Sequence, residues 1–298
     1  MNSLALSAYA KSIGLDQPYC APSLKSSDKQ HLIESLYLEL LSRFDTRGIT
    51  DIYQWKNLTK RECIDAVITM IEPNSLTDSV VEQLNQLLEL EKHERDITFV
   101  SELIHAPFLS IGDTKLILRQ GDITLLGCDA IVNAANSQLL GCFKPFHHCI
   151  DNAIHSRAGV QLRADCNTII QIQGNPEPTG QAKITRAYNL PSRYVLHTVG
   201  PIVTGSVTDT HKSQLTDCYR NIMSLAQQKA DIRSLAFCSI STGVFGFPIE
   251  KAAPLAIEAV TQYLHQNPSQ FEVVLFNVFS EHDYLIYQAA LEEYTCNH

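Results

Sequence analysis

Two cysteines and two histidines cluster in residues 142–149 and are the clearest set of side chains able to do chemistry. They are Cys142, His147, His148 and Cys149, and Pro145 stiffens the turn between them. Zinc binds thiolate and imidazole readily, and a catalytic zinc uses three protein ligands and one open position. A structural four-ligand site would bring a second knuckle elsewhere, and the sequence contains none. The alternative is two buried thiols beside two exposed histidines, because free cysteine is commonly a small buried side chain.

Amide and carboxylate side chains lie close to this cluster in the sequence. The apolar segment 130–132 leads into Asn133 and Asn136, which are separated by two alanines. Small residues let a ligand approach the backbone, and an amide can both donate to and accept from sugar hydroxyls. Asp151 follows at the start of a predicted helix. Either the helix dipole favours a carboxylate there, or the carboxylate is directed into the ligand pocket next to the metal. His155, one turn further, is expected to pack or to form local hydrogen bonds.

Two further loops have the composition of turns that bind anions or sugars. Gly121-Asp122-Ile123-Thr124 follows a predicted strand and, taken alone, is typical of a plain turn with an aspartate cap. Residues 239–248 combine two glycines with hydroxyl side chains at a strand-to-helix turn, where free amides can converge on an anion. Their spacing fits neither a Walker A loop nor G-x-G-x-x-G.

The elements that position these loops follow from hydrophobic periodicity. Helices are predicted over 28–44, from the capping box at Thr59 through 66–68, and over 76–94. Later segments alternate between strands at 115–118, 130–132, 182–188, 194–198, 234–240 and 272–277 and helices at about 150–168, 210–229, 249–266 and 281–293. This order predicts a three-layer α/β/α fold with a central mixed sheet and a ligand outside the carboxyl ends of the strands. We expect a helical extension over 1–97 and an α/β domain over 98–298.

Composition limits the partners and the compartment. The chain has 298 residues and a formal net charge of −9, which disfavours a nucleic-acid partner because such proteins need a basic face. No apolar run reaches the roughly 18–20 residues of a membrane helix. The first residues lack the positive region of a signal peptide. The nine cysteines are therefore expected to be thiols or metal ligands in a cytoplasmic protein.

In chain order, several of these segments resemble the macrodomain family. The segments are Gly121–Thr124, Asn133 with Asn136, Ile150–His155 and Ser241–Phe247, with 180–185 and 197–201 fitting as well. The resemblance spans residues 112–295. Gly-Cys-x-x-Pro-x-His-x-Cys at 141–149 is similar, more narrowly, to the zinc-containing macrodomains, which also carry a helical N-terminal extension. Asn152 departs from the pattern, because many hydrolytic members have glycine there.

The resemblance implies an ADP-ribose site and a role for each part of it. Asp122 would bind the adenine amino group, Asn136 would hold the distal ribose, and residues 241–247 would wrap the diphosphate. The implied substrate-binding set is Asp122, Ile123, Asn133, Asn136, Cys149, Ile150, Asp151, Ser241, Thr242, Gly243, Val244, Phe245, Gly246, Phe247 and Phe279. Asp151 and Asn136 would be catalytic.

The resemblance also selects the metal ligands and the reaction. Cys142, His147 and Cys149 match the zinc ligands of the family, whereas His148 does not. The implied activity is zinc-dependent hydrolysis of mono-ADP-ribose from protein side chains, with a carboxylate ester as the expected linkage. The family further suggests a lipoyl-carrier protein as substrate and a sirtuin-like ADP-ribosyltransferase as partner enzyme.

Two other functions compete with hydrolysis. A reader would bind ADP-ribose without cleaving it, and the retained Asp151 beside a metal cluster argues against binding alone. A zinc nucleoside deaminase would need His-x-Glu ahead of Pro-Cys-x-x-Cys, and the sequence has neither.

Overall fold

The computed structural model describes residues 3–23, 29–44, 57–105, 107–268 and 270–297. After a short helix α1 (Leu6–Tyr9), three helices form what we call the helical unit: α2 (Lys29–Phe44), α3 (Lys60–Met70) and α4 (Asp78–His93). Asp28, the predicted first residue of α2, lies outside the described residues. The predicted capping box is confirmed, because the Thr59 side chain accepts from the Glu62 amide and Glu62 accepts from the Thr59 amide.

The helical unit has a hydrophobic core of its own. Its apolar stripes meet between the three helices, and Leu36, Ile64 and Leu84 are fully buried there. Val160, from the α/β domain, packs against the edge of this cluster. The unit is therefore a small packed body that is docked on the α/β domain.

The α/β domain is built on a seven-stranded mixed sheet. Its strands are β2 (Leu109–Ile111), β3 (Thr114–Gln120), β5 (Ala130–Ala134), β6 (Ala182–Arg186), β7 (Tyr194–Thr198), β8 (Ser234–Phe237) and β9 (Val273–Val278), in the order β2-β3-β9-β8-β5-β7-β6. The five inner strands are parallel and the two edge strands antiparallel. Every residue of β7, β8 and β9 is buried, so both faces of the sheet are covered. The predicted α/β/α fold with a mixed sheet is confirmed.

Helices α6 (Ile150–Ala158), α7 (Val160–Gln173), α8 (Asp209–Gln227), α9 (Ile249–Gln266) and α10 (Glu281–Asn297) cover the sheet. The single helix predicted over 150–168 is wrong, because Gly159 divides it into α6 and α7. Gly159 has φ 97°, outside the helical region, and glycine adopts this angle without the steric cost of a Cβ. A short helix α5 (Val100–Leu103) and the parallel pair β1 (Thr98–Phe99) and β4 (Leu126–Gly127) complete the described elements.

The segment 3–19 lies against the edge strand β6. The Tyr9 hydroxyl accepts a 3.0 Å hydrogen bond from the Ile184 amide, which would otherwise be an unpaired donor of the sheet edge. Tyr9, Ile13 and Leu15 are buried in the core of the α/β domain. No helix within the described ranges is long and apolar enough to cross a membrane.

Candidate active site

The polar loops predicted from the sequence follow the carboxyl ends of the parallel strands. Gly121 follows β3, Asn133 is the last residue but one of β5, and Phe279 follows β9. Backbone bonds hold the loops together, since the Gly121 amide donates to the Val278 carbonyl and the Ala135 amide to the Thr198 carbonyl. Because the inner strands are parallel, these loops lie together at the carboxyl end of the sheet and form a single site.

The carboxylate of Asp151 lies among these loops, against Asn133 and Asn136. Asn133 Nδ2 donates to Asp151 Oδ1 at 2.8 Å, and Asn136 Nδ2 donates to Oδ2 at 3.2 Å. Asp151 is only 6% exposed, and burial raises its pKa to about 6 against the opposing effect of the Asn133 bond. The sequence-predicted residues Asp151, Asn133 and Asn136 are thus brought together.

Asn133 is itself held by a histidine whose role the sequence does not predict. His197 Nδ1 lies 3.2 Å from Asn133 Nδ2, and His197 Nε2 lies 3.0 Å from Thr185 Oγ1. Because the amide nitrogen only donates, Nδ1 accepts and the ring carries its proton on Nε2, which donates to Thr185. Burial lowers the pKa of His197 to about 3, which keeps this ring neutral. The only sequence signal is a polar residue within a buried strand.

The cysteine–histidine cluster has the geometry of a zinc site. The ligand atoms of Cys142, His147 and Cys149 all lie within 4.8 Å of one another. Cys142 Sγ is 3.5 Å from His147 Nδ1. Tetrahedral zinc bonds of about 2.3 Å to sulfur and 2.0–2.1 Å to nitrogen would separate these atoms by about 3.5 Å. The three side chains therefore fit the metal, and His148 is exposed.

Residues 141–149, which we call the metal-ligand loop, are held by side chains of Asn136, which follows β5, and of α6. Asn152 Nδ2 donates to the His147 carbonyl at 3.0 Å, so the residue that departs from the family pattern ties the loop down. Asn136 Nδ2 also donates to the Gly141 carbonyl at 2.9 Å. A Cβ at Gly141, which has φ 78°, would lie 2.8 Å from the His155 ring. His155 therefore packs under the loop, as expected.

The loop after β8 has free amides in a compact turn. Ser241 has φ 66°, the Phe247 amide donates to its carbonyl, and the Gly246 amide donates to Gly243. Among the hydrogen bonds of the described residues, none has an amide of residues 242–245 as donor. The loop fits an anion such as a diphosphate. The Phe247 side chain is buried in the core, so it offers the site only its backbone.

At the adenine end of the predicted site, the structure places Arg157 beside Asp122, a contact that the spacing of residues in the sequence does not predict. Arg157 Nη1 donates to Asp122 Oδ2 and to Thr124 Oγ1, and Asp122 Oδ1 accepts from the Thr124 amide at 2.9 Å. These bonds and the Arg157 charge lower the pKa of Asp122 despite its partial burial. Ile123 is buried beside it, and Phe279 is 77% exposed, open to a ligand.

Comparison with known proteins agrees with this geometry. The family model described as Macro domain matches residues 132–256. A protein-ADP-ribose hydrolase of Treponema medium is 50% identical over 194 residues, covering 65% of this chain and 73% of that protein. A protein-ADP-ribose hydrolase of Staphylococcus aureus is 51% identical over 177 residues, covering 59% and 66%.

Solved structures lead to the same family. A mutant Oceanobacillus iheyensis macrodomain with ADPR is 40% identical, with a TM-score of 0.58 over 64% of this chain and 98% of that one. A Trypanosoma brucei macrodomain in complex with ADP-ribose is 34% identical, with a TM-score of 0.57 over 66% and 78%. The chain belongs to the macro domain family.

Proposed function

We propose that this protein is a zinc-dependent hydrolase that removes mono-ADP-ribose from modified protein side chains and releases ADP-ribose. Two relatives at 50% and 51% identity are named protein-ADP-ribose hydrolase. The observation that carries the proposal is the Asp151 carboxylate, which two asparagine amides hold two residues beyond a cysteine of the metal-ligand cluster. A reader module has no need of a buried carboxylate, whose burial costs desolvation energy, so we favour hydrolysis over binding alone.

Asp151 acts as the general base in this proposal. It accepts a proton from water while the water oxygen bonds to C1″ of the distal ribose and the bond from C1″ to the side-chain oxygen breaks. Asn133 and Asn136 fix the carboxylate, and Asn136 also reaches a ribose hydroxyl. The loop at 241–247 and Asp122 hold the diphosphate and the adenine, so that C1″ is presented in one orientation.

The metal belongs to the same proposal. Cys142, His147 and Cys149 would hold zinc through two sulfurs and one nitrogen, the donor set that zinc prefers. When bound, zinc supplies Lewis acidity toward a substrate oxygen.

A carboxylate ester is the linkage that this site suits. A departing carboxylate is stable without a proton, whereas a serine or arginine leaving group needs an acid. The side chains around the Asp151 carboxylate include the Asn133 and Asn136 amides, which are too weak as acids for that role, and His155, whose Nε2 lies 3.5 Å from Oδ1. Burial lowers the pKa of His155 well below its usual value, so this ring is neutral and carries no acidic proton to give. Following the family resemblance, a lipoyl-carrier protein modified by a sirtuin-like ADP-ribosyltransferase is the first protein substrate to try.

The test is ADP-ribose release from protein or peptide substrates with Asp/Glu-, Ser- and Arg-linked ADP-ribose, together with zinc analysis of the purified chain. We expect release from the Asp/Glu-linked substrate, and at least about a hundredfold slower release by Asp151→Asn with ADP-ribose binding retained. Full activity of an Asp151→Ala, Cys142→Ala double variant would overturn the assignment. Tight ADP-ribose binding without cleavage of any substrate, even with added zinc, would identify a reader instead.

A further inference from the structure

One buried cation bonds the helical unit and the metal-ligand loop at the same time. Arg163, on α7, is 5% exposed. Its Nη1 donates to the carbonyls of Ile68 and Ile71, both at 2.9 Å, and its Nε donates to the Leu140 carbonyl at 2.8 Å. Ile68 lies in the last turn of α3, and Ile71 is the C-cap of that helix. The guanidinium therefore bridges the end of α3 and the residue that precedes the metal-ligand loop.

The partners of Arg163 are suited to a buried cation. The last carbonyls of a helix have no partner within the helix, and the helix dipole favours positive charge there. A guanidinium stays charged in proteins, and burying a charge costs free energy unless hydrogen bonds compensate for it. Arg163 is thus stable in its place only while both the end of α3 and Leu140 accept its hydrogen bonds.

Arg163 contacts the chain on both sides of Cys142, just before the metal-ligand loop and within it. Leu140 precedes Cys142 by two residues, and the Phe143 ring lies over the guanidinium with 4.6 Å between the ring centroid and the guanidinium carbon. Gly141, between Leu140 and Cys142, has φ 78° and allows the chain to turn there. The backbone direction at Cys142 is therefore set by groups that Arg163 holds.

The helical unit, at the other end of this connection, has a hydrophobic core of its own. The buried side chains of the helical unit form a cluster distinct from the core of the α/β domain. Besides Arg163, Asn85 of α4 joins the two bodies within the described ranges: its Nδ2 donates to Gln161 Oε1 at 2.7 Å, and its Oδ1 accepts from Asn189 Nδ2 at 2.8 Å. A change in the packing of the helical unit must reach the loop through this interface.

We propose that Arg163 is a positioning residue through which the helical unit holds the metal-ligand loop in its zinc-binding geometry. The proposal rests on the proposed zinc site and assigns to the helical unit a part in metal retention. Loosening the unit then releases the Leu140 carbonyl and lets the Cys142 sulfur drift from His147 and Cys149.

The first test measures zinc transfer from the full-length protein to a chromogenic chelator under native conditions. We expect Arg163→Met to release zinc at least about tenfold faster than the wild type, because the carbonyls of both bodies lose their common donor. Arg163→Lys, which keeps the charge but not the fork of donors, should give an intermediate rate. Arg186→Met is the matched control, since Arg186, the last residue of β6, is a half-buried arginine that donates to the Tyr188 hydroxyl, pairs with Asp165 and leaves the loop untouched.

A second variant separates transmission from simple loss of stability. Leu36→Ala opens a cavity within the helical unit, where Leu36 is fully buried, far in sequence from the loop. We expect it to speed zinc release in the wild-type background but to add less than about twofold in the Arg163→Met background, since coupled positions are non-additive. Rates for Arg163→Met within about twofold of the wild type, or fully additive effects of the two substitutions, would overturn the proposal.

Hydrogen exchange of loop amides in metal-free protein keeps this proposal distinct from the proposed function. The His147 amide donates to the Lys144 carbonyl and the Cys149 amide to the His147 carbonyl, so their exchange reports on the loop without any metal. Faster exchange in Arg163→Met and Leu36→Ala, but not in Arg186→Met, supports the positioning role even if the protein hydrolyses nothing. Unchanged loop exchange in Arg163→Met and Leu36→Ala excludes it even if the zinc enzyme is active.

Discussion

Asn133 Nδ2 lies 2.8 Å from Asp151 Oδ1 and joins the end of β5 to the first turn of α6 by a hydrogen bond between two buried side chains. His197 accepts the second hydrogen of the same amide group. Asn133 therefore cannot rotate without losing one of its two partners. This arrangement sets the orientation of the carboxylate before any substrate binds.

Asn133→Ala should slow hydrolysis while sparing ligand binding. The substitution leaves Asp151 Oδ1 and His197 Nδ1 without their donor, so we expect kcat to fall at least about tenfold, with a stability loss of about 1–3 kcal/mol. Although the family resemblance implies a binding role for Asn133, its side chain is fully buried and its amide nitrogen already bonds Asp151 and His197, so the affinity for ADP-ribose should change little. Steady-state kinetics, calorimetric titration with ADP-ribose and urea unfolding measure the three effects.

Ser234→Ala is the control for this substitution. Ser234 is also buried and its hydroxyl has two partners, donating to Asp129 Oδ2 at 2.9 Å and accepting from the Asp129 amide at 2.8 Å, but it lies at the start of β8 and does not contact Asp151. It should cost similar stability and leave kcat near the wild-type value. Equal kcat for the two variants would show that Asn133 serves the fold alone.

Gly200→Ala should impair ligand binding through Ser241. A Cβ on Gly200 would lie 1.9 Å from Ser241 Oγ and 2.9 Å from Ile240 Cγ2, so the side chains of Ser241 and Ile240, at the start of the 241–247 loop, must shift. We expect the Kd for ADP-ribose to rise at least about tenfold, with a stability loss of about 1–3 kcal/mol. Calorimetric titration and urea unfolding check both. Gly243→Ala, whose Cβ would meet nothing within 4 Å, should keep the wild-type stability.

His147→Ala and His148→Ala should differ in zinc content although the two residues are neighbours. His147 Nδ1 faces Cys142 Sγ at 3.5 Å, whereas His148 is exposed. We expect His148→Ala to retain about one zinc per chain and His147→Ala to lose most of it, because two thiolates alone hold the ion weakly. Elemental analysis after dialysis decides the matter. Zinc loss in His148→Ala with retention in His147→Ala would exchange the two roles.

Much of the fold was predictable because the patterns that define it are local. The capping box at Thr59 and the helix Ile249–Gln266 follow from spacing and cap residues that a short window contains. The break at Gly159 was missed because a glycine within an otherwise helical pattern costs only about 1 kcal/mol and need not end a helix. The edge strand β2 is only three residues long and has too few positions for a period to show.

The residues that line the site could be predicted from the sequence, whereas the residues that hold them in place could not. Asp151, Asn133 and the cysteine–histidine cluster have residue types that signal chemistry. Arg163 acts on backbone carbonyls, which have no sequence signature, and His197 reaches Asn133 from 64 residues away. Such partners are fixed by the sheet order and the docking of the helical unit, which single-sequence patterns do not define.

Asp165 should make the stability of the protein depend on pH in the acid range. Tyr188 Oη donates to Asp165 Oδ2 at 2.5 Å, but burial outweighs this bond and raises the pKa of Asp165 to about 6. Between about pH 4 and 6 the folded state keeps a proton that the unfolded state has released. The stabilising contribution is therefore complete below about pH 4 and is lost as the pH rises through 6.

Urea unfolding of the wild type and of Asp165→Asn at several pH values tests this prediction. We expect the difference in unfolding free energy, wild type minus variant, to fall by up to about 3 kcal/mol between pH 4 and pH 7. Asp209→Asn is a control of opposite sign, because the hydrogen bond from Lys212 lowers the pKa of the exposed Asp209 carboxyl. Its contribution is present above the pKa of the unfolded state and is lost as the pH falls. A constant difference for Asp165→Asn across this range would mean that Asp165 titrates alike in the folded and unfolded chains.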